Sequence, residues 1–273
     1  RSRRPLANAV RPKRVLALRR RMKVLRRGRR SHRLGGTLVG VVTSIALATG
    51  AAAPAVAAAS TRHDVVLSNE TTNTTWTVAD VAAPIRTQPS AQASVMTRLR
   101  FQTPDGYLQS YILLREHWTA SGPWVKLRIP MRPNGLIGWV QRSALDDFQR
   151  VHTEIVVNRA GPAGPNLTLY RNGRVVVRAP VGIGKPSTPT PVGHFWITEA
   201  FPSYDPFYGP FLLATSDYSV LSDWPGGGVI GLHGTHEPAL VPGYPSHGCI
   251  RMHNSDILRV AAVASTGTPV LVR

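Results

Sequence analysis

Residues 233–252 read HGTHEPALVPGYPSHGCIRM. This stretch contains the only cysteine of the chain, Cys249, inside Ser246-His247-Gly248-Cys249 with Ile250 and Arg251 behind it. His233 stands 16 residues upstream, at the end of the apolar run Val229-Ile230-Gly231-Leu232, which reads as a buried strand. A thiol is a useful nucleophile only as thiolate, and a nearby histidine is the usual means of making it one at neutral pH. A glycine before the nucleophile lets the backbone turn sharply and aim consecutive N–H groups at one oxygen, the arrangement of an oxyanion hole. Chemistry alone therefore points to a cysteine acyl-transfer enzyme.

His233-Gly234, a short spacer and Ser246-His247-Gly248-Cys249-Ile250-Arg251-Met252 resemble the active-site signature of the L,D-transpeptidases (the YkuD family) of bacterial cell walls. The resemblance covers roughly residues 152 to 273. It implies Cys249 as nucleophile, His233 as base and the Gly234 carbonyl as third member, so that no triad Asp is needed. By the same resemblance His233 holds the thiolate as an ion pair and later takes the proton of the incoming amine. His247 is expected to shape the pocket and the oxyanion hole together with Gly248 and Cys249. Ser246 is expected to touch substrate or to brace its own turn. Arg251 suits a carboxylate of a peptide substrate, with a structural ion pair as the alternative.

The implied reaction is acyl transfer on a peptidoglycan tetrapeptide stem. Cys249 attacks the carbonyl of the third, diamino-acid residue and expels the terminal D-alanine. The side-chain amine of a neighbouring stem resolves the thioester into a 3→3 crosslink. Water as acceptor gives a carboxypeptidase, and a protein amine gives an attachment enzyme. The rival from another class is a wall-binding module whose second domain is catalytically silent.

No cofactor is expected, since no GxxxxGK[ST] phosphate loop occurs, and no G-x-S-x-G supports serine chemistry. His233, His236, His247, Cys249 and His253 are nitrogen and sulfur ligands, but without CxxC or HExxH the expectation for a metal is none. A single cysteine excludes a disulfide within the chain.

The formal net charge of +19 over 273 residues suggests a nucleic-acid partner at first sight. Residues 1–33, however, hold 15 of the 33 Lys/Arg and no Asp/Glu, leaving 18 basic against 14 acidic residues over the other 240. The excess is a tail, and no nucleic-acid module accompanies it. Gly 24, Pro 23 and only 17% charged residues favour turn-rich β structure.

The chain divides readily. After the basic arm 1–33, residues 34–59 carry no charge and end in an Ala-rich tail with A-x-A patterns, which reads as a signal peptide or a membrane anchor. Both readings place the rest outside the cytoplasm, in the cell envelope. Residues 60–75 are polar and read as a linker. From Trp76, short strand-like runs alternate with turns. Ala83-Pro84-Ile85-Arg86, Trp124-Val125-Lys126-Leu127 and Gly138-Trp139-Val140 resemble a bacterial SH3-like domain over 76–147, in which Trp124 and Trp139 serve either a ligand or the core.

The span 152–273 is expected as the catalytic domain, of β-sandwich type with a short helix. Its elements are strands at 154–158 and 167–170, a hairpin at Asn172-Gly173 and the loop Thr188-Pro189-Thr190-Pro191-Val192-Gly193. A helix capped by Asn254 or Ser255 runs to about Ser265, and a last strand follows Gly267. The aromatic segment Phe201 to Trp224 is expected to wall the substrate cleft, with Tyr208 and Trp224 against the substrate, or else to fill a β-core. The fold expected is thus mainly β, a small barrel followed by the larger domain.

Overall fold

The computed structural model describes residues 64–223 and 225–273. The basic arm, the apolar segment 34–59 and Trp224 lie outside these residues. The described chain is mainly β and forms two sheets in sequence.

The first sheet holds β1 (Val65–Val66), β2 (Thr74–Val78), β3 (Pro84–Arg86), β4 (Val95–Arg98), β5 (Ser110–Thr119), β6 (Gly122–Arg128), β7 (Ile137–Gln141) and β8 (Gln149–Val151). Its order is β4-β3-β7-β6-β5-β2-β8, with β1 on β5. Alternate residues of β6 and β7, such as Val125, Leu127 and Val140, are fully buried with Ile85, Tyr111 and Leu113. That is the period-two pattern of a sheet with one face on a core. Trp124 is buried in this part of the molecule, whereas Trp139 stays half-buried beside Lys126, whose Nζ lies 5.7 Å from the ring centre.

The stretch 60–75, expected as a linker, enters this sheet from Val65 onward. The reason is Asn69, whose Oδ1 accepts the backbone N–H groups of Thr71, Thr72 and Asn73 at 3.0, 3.0 and 2.9 Å. A side chain that satisfies three backbone donors turns the chain tightly from β1 into β2. Polar composition here encodes a turn between strands.

The second sheet holds β9 (Thr153–Asn158), β10 (Asn166–Arg171), β11 (Arg174–Pro180), β12 (Gly182–Gly184), β13 (Gly193–Pro202), β14 (Phe211–Tyr218), β15 (Val229–His233), β16 (Gly243–Ser246), β17 (Ile250–Arg251) and β18 (Pro269–Val272). Its order is β11-β10-β9-β18-β13-β14-β15-β17-β12-β16. Strand β13 joins two halves: Gly193–Trp196 pair with β18, and Ile197–Pro202 pair with β14. Residues of both halves, including Leu167 and Leu169 on one side and Leu213, Leu232 and Ile250 on the other, share one core. The β-sandwich-type expectation therefore resolves into a single curled sheet closed over its own apolar face. Asn172 and Gly173 both take positive φ, 50° and 73°, as the hairpin between β10 and β11 requires.

The one α-helix, α1 (Asn254–Ala261), buries Ile257 and Val260 against this core. It is shorter than expected, and its cap differs. His253 occupies the N-cap position without a side-chain capping bond. Asn254 Oδ1 instead accepts the backbone N–H of Thr235 at 2.9 Å. The two sheets meet where buried Trp196 donates its indole N–H to Ser110 Oγ at 3.0 Å, giving a large buried ring the polar partner it needs.

Leu232 is fully buried one residue before His233. Leu232→Ala should destabilise the domain by about 2–5 kcal/mol through lost burial and a cavity, read as a lowered melting temperature of the purified chain.

Candidate active site

Strands β15 and β17 run parallel, with Leu232 opposite Ile250 and His233 opposite Arg251. This pairing brings together two residues that the 16-residue crossover separates, placing Cys249 just ahead of β17 beside the end of β15. Both line one small cavity with Phe207, Tyr208, Ser219, Ser246, His247 and Arg251.

His233 is buried, and its Nδ1 donates to the carbonyl of Gly234 at 2.6 Å. That bond fixes the tautomer, because a carbonyl can only accept, and leaves Nε2 with its lone pair. Gly234 has to be glycine: a Cβ there would lie 2.3 Å from Asn254 Oδ1 and 2.9 Å from Pro210. The Asn254 carbonyl oxygen that fails to cap α1 thus holds the loop that orients the histidine.

Burial pushes the His233 imidazole down to about 4, against the opposing pull of its bond to Gly234. Burial also pushes the Cys249 thiol above its ordinary range, opposed by a hydrogen bond from the Gly231 backbone. Both directions favour a neutral thiol beside a neutral imidazole at rest.

The turn carrying the thiol is braced from several sides. Gly248 has φ +128°, and a Cβ there would meet Ile230 Cδ1 at 2.6 Å. Its carbonyl accepts from Thr190 Oγ1 at 2.7 Å, and the same Thr190 oxygen accepts from Gly184 N–H at 2.9 Å. Ser246 is buried; its hydroxyl donates to the Cys249 carbonyl at 2.6 Å and accepts the Gly248 N–H at 3.1 Å. Of the two roles expected for Ser246, the bracing of its own turn is the one these bonds make, and the Gly248 N–H is engaged by the Ser246 hydroxyl. The Cys249 N–H is then the backbone donor next to the thiol.

Arg251 is buried and pairs with Glu237, Nη1 to Oε2 at 2.7 Å, with its guanidinium 5.1 Å from the centre of the Phe207 ring. The structural ion pair given above as the alternative for Arg251 is present. Arg251 Nε finds no hydrogen-bond partner among the described residues. Tyr208 and Phe207 sit on a short turn, Pro206–Tyr208, whose first N–H groups include Phe207 N donating to Asp205 Oδ1 at 2.9 Å. Their rings cover His233, Tyr208 edge-on at 5.1 Å and Phe207 stacked at 6.0 Å between centres. Of the aromatic segment, Tyr204 is exposed, while Phe201 stacks on Tyr107 of the first sheet.

Sequence reasoning passed over Lys185, whose Nζ lies 3.1 Å from His247 Nε2. Burial first, and Lys185 second, lower the His247 imidazole below its ordinary value. It also passed over Asp217, buried on β14. Thr215 Oγ1 touches Asp217 Oδ1 and lies 2.7 Å from the carbonyl of Ile230. A hydroxyl has one proton, and the carbonyl can only accept it, so the contact with Asp217 calls for a proton on the carboxyl. Burial agrees, pushing Asp217 up to about 7. Among the described residues no three His, Cys, Asp or Glu side chains converge as a metal site.

Comparison with known proteins places this geometry. Residues 152–272 match the YkuD family, the L,D-transpeptidase catalytic domain. This part of the chain is similar to the catalytic domain of the L,D-transpeptidases. Two relatives carrying the name L,D-transpeptidase YkuD are each 35% identical to it. The one from Bacillus licheniformis aligns over 109 residues, 40% of this chain and 60% of the relative. The one from Bacillus subtilis aligns over 106 residues, 39% and 58%. The chain thus spans less than two thirds of the length of either. A solved L,D-transpeptidase from Enterococcus faecium is 24% identical over 44% of this chain and 49% of its own, with a TM-score of 0.35.

Two measurements bear on the site. With a neutral resting pair, iodoacetamide should alkylate Cys249 slowly at pH 6–7 and faster as pH rises through the thiol range; a rate already at its plateau below pH 7 would establish the ion pair instead. For Asp217, the folded-state value lies above that of the unfolded carboxyl. Its stabilising contribution is therefore full below about pH 4 and is lost as pH rises towards 7. Asp217→Asn, whose amide can donate to Thr215, should flatten the melting temperature across that window and raise it by roughly 5 °C at pH 7.

Proposed function

We propose that the chain is an exported peptidoglycan L,D-transpeptidase that works through a Cys249 thioester. The observation that carries this reading is the His233 tautomer, fixed by the Gly234 carbonyl next to the thiol. The match of residues 152–272 to the L,D-transpeptidase catalytic domain supports the reaction class.

In the proposed cycle, Cys249 Sγ attacks the carbonyl carbon of the diamino-acid residue at the third position of a tetrapeptide stem, and its proton passes to His233 Nε2. The Cys249 N–H steadies the oxyanion. The bond to D-alanine breaks, and the proton on His233 goes to the departing amine. An amine of a second stem then attacks the thioester, gives its proton to His233, and the thiol is regenerated. Phe207 and Tyr208 exclude water from the imidazole while the thioester stands. The apolar segment 34–59 would deliver the chain to the envelope as signal or anchor, and the first sheet would serve as an SH3-like module beside the catalytic domain.

Incubating the purified chain with a disaccharide-tetrapeptide and reading its intact mass tests the proposal. An acyl adduct on Cys249 with release of D-alanine is expected, and Cys249→Ala should abolish it. Reversible binding without an adduct, equal in the Cys249→Ala variant, would move the assignment to a wall-binding module. Adding an amine acceptor separates crosslinking from hydrolysis.

A further inference from the structure

We propose that the loop between β6 and β7 of the first sheet, through Asn134 and Arg132, positions the nucleophile turn of the second sheet by holding Ser219. The proposal concerns the site read above as catalytic and rests on that reading for its functional meaning.

β14 ends at Tyr218, and just beyond it the Ser219 N–H donates to the Gly228 carbonyl at 2.7 Å, a hold from the second sheet itself. The first sheet adds a second hold. The Asn134 side-chain amide clasps Tyr218 in both directions: Nδ2 donates to the Tyr218 carbonyl at 2.9 Å, and Oδ1 accepts the Tyr218 N–H at 3.0 Å. Arg132 Nη2 donates to the carbonyls of Ser219 and Leu221 at 2.9 and 3.1 Å, and its guanidinium lies 4.6 Å from the centre of the Tyr218 ring. Tyr218 Oη reaches back to the carbonyl of Pro130 at 3.4 Å. Asn and Arg side chains bonded to successive backbone groups define the path of a segment more tightly than any single contact.

Ser219 is the next link. Its Oγ donates to the His247 carbonyl at 2.9 Å and accepts the Leu221 N–H at 3.3 Å. Its side chain also borders Gly248, whose absent Cβ would lie 3.4 Å from Ser219 Oγ. The carbonyl that Ser219 holds belongs to the peptide leading into Gly248 and Cys249. A continuous set of hydrogen bonds therefore runs from Asn134 and Arg132 through residues 218–221 to the backbone that aims the thiol. Thr190 holds the Gly248 carbonyl from within the second sheet, and Ser219 holds the preceding one on behalf of the first. Asn134 and Arg132 act as positioning residues. A displacement of about 1 Å in such a turn is enough to slow attack markedly.

A double-mutant cycle on the full chain tests this. Asn134→Ala, Ser219→Ala and the double variant are compared in two readouts: the pH–rate profile of Cys249 alkylation by iodoacetamide, which needs no substrate, and kcat and KM for acyl transfer from a tetrapeptide stem. Each single variant should displace the alkylation profile and lower kcat about tenfold, equivalent to about 1.4 kcal/mol, with KM nearly unchanged. The double variant should be no worse than Ser219→Ala alone, because both act on one chain of contacts. Effects that multiply, or that appear only as a lowered melting temperature with an unmoved alkylation profile, would overturn the proposal. If Asn134→Ala does not stay folded at the assay temperature, Arg132→Lys, which keeps the charge but loses the planar fork, takes its place in the cycle. Coupled alkylation without acyl transfer would leave the positioning role standing while removing the transpeptidase reading.

Discussion

The bond from His233 Nδ1 to the Gly234 carbonyl constrains much of what surrounds it. It exists because β15 delivers the imidazole into a buried place and the chain reverses immediately afterwards. The reversal brings Gly234 so near Asn254 and Pro210 that no side chain fits. Asn254 is drawn away from helix capping to hold that reversal, leaving α1 without a side-chain cap. Phe207 and Tyr208 close over the ring. One short contact therefore sets the register of a strand end, the entry of a helix and the placing of two aromatic rings. The same burial that secures the bond makes a charged imidazole costly, so the orientation of the base and its neutrality have one cause.

The nucleophile turn is built on a related logic. Its backbone is held by hydroxyls from two distant places, Thr190 in the loop before β13 and Ser219 after β14, and by Ser246 within the turn. Each bond is ordinary, but together they leave the Gly248 carbonyl and N–H and the carbonyls of His247 and Cys249 committed. Positive φ at Gly248 is affordable where so many partners agree on one conformation. The Cys249 N–H, facing the thiol side, is the part of the turn left for chemistry.

Much of this was legible in the residues. The Cys249–His233 spacing, the glycines and the Asn-Gly hairpin carry local requirements that only a few residue types meet. Trp124 and Trp139 illustrate what a strand pattern cannot decide: both occur in strand-like runs, yet one is buried and the other borders charged side chains. Lys185, Thr190, Ser219 and Asp217 are separated from Cys249 by between 30 and 64 positions and gain their roles only through strand order. The degree of burial was equally invisible, and it pushes the His233 imidazole down and the Cys249 thiol up. For Arg251 the sequence allowed two partners, and the half-exposed Glu237 in the crossover decided between them. The polar stretch before Trp76 misled because an Asn that folds a turn and an Asn in a linker look alike until the backbone donors are counted.

The Arg251–Glu237 pair has a consequence for selectivity. The guanidinium already has a carboxylate, so an incoming carboxylate would exchange one anion for another and gain little net attraction. Discrimination among acidic ligands would then fall to fit: which anion can reach past Phe207 while Glu237 swings outward into water. A rim built this way sorts its visitors by shape and timing, with the resident side chain acting as a competitor tethered at high local concentration.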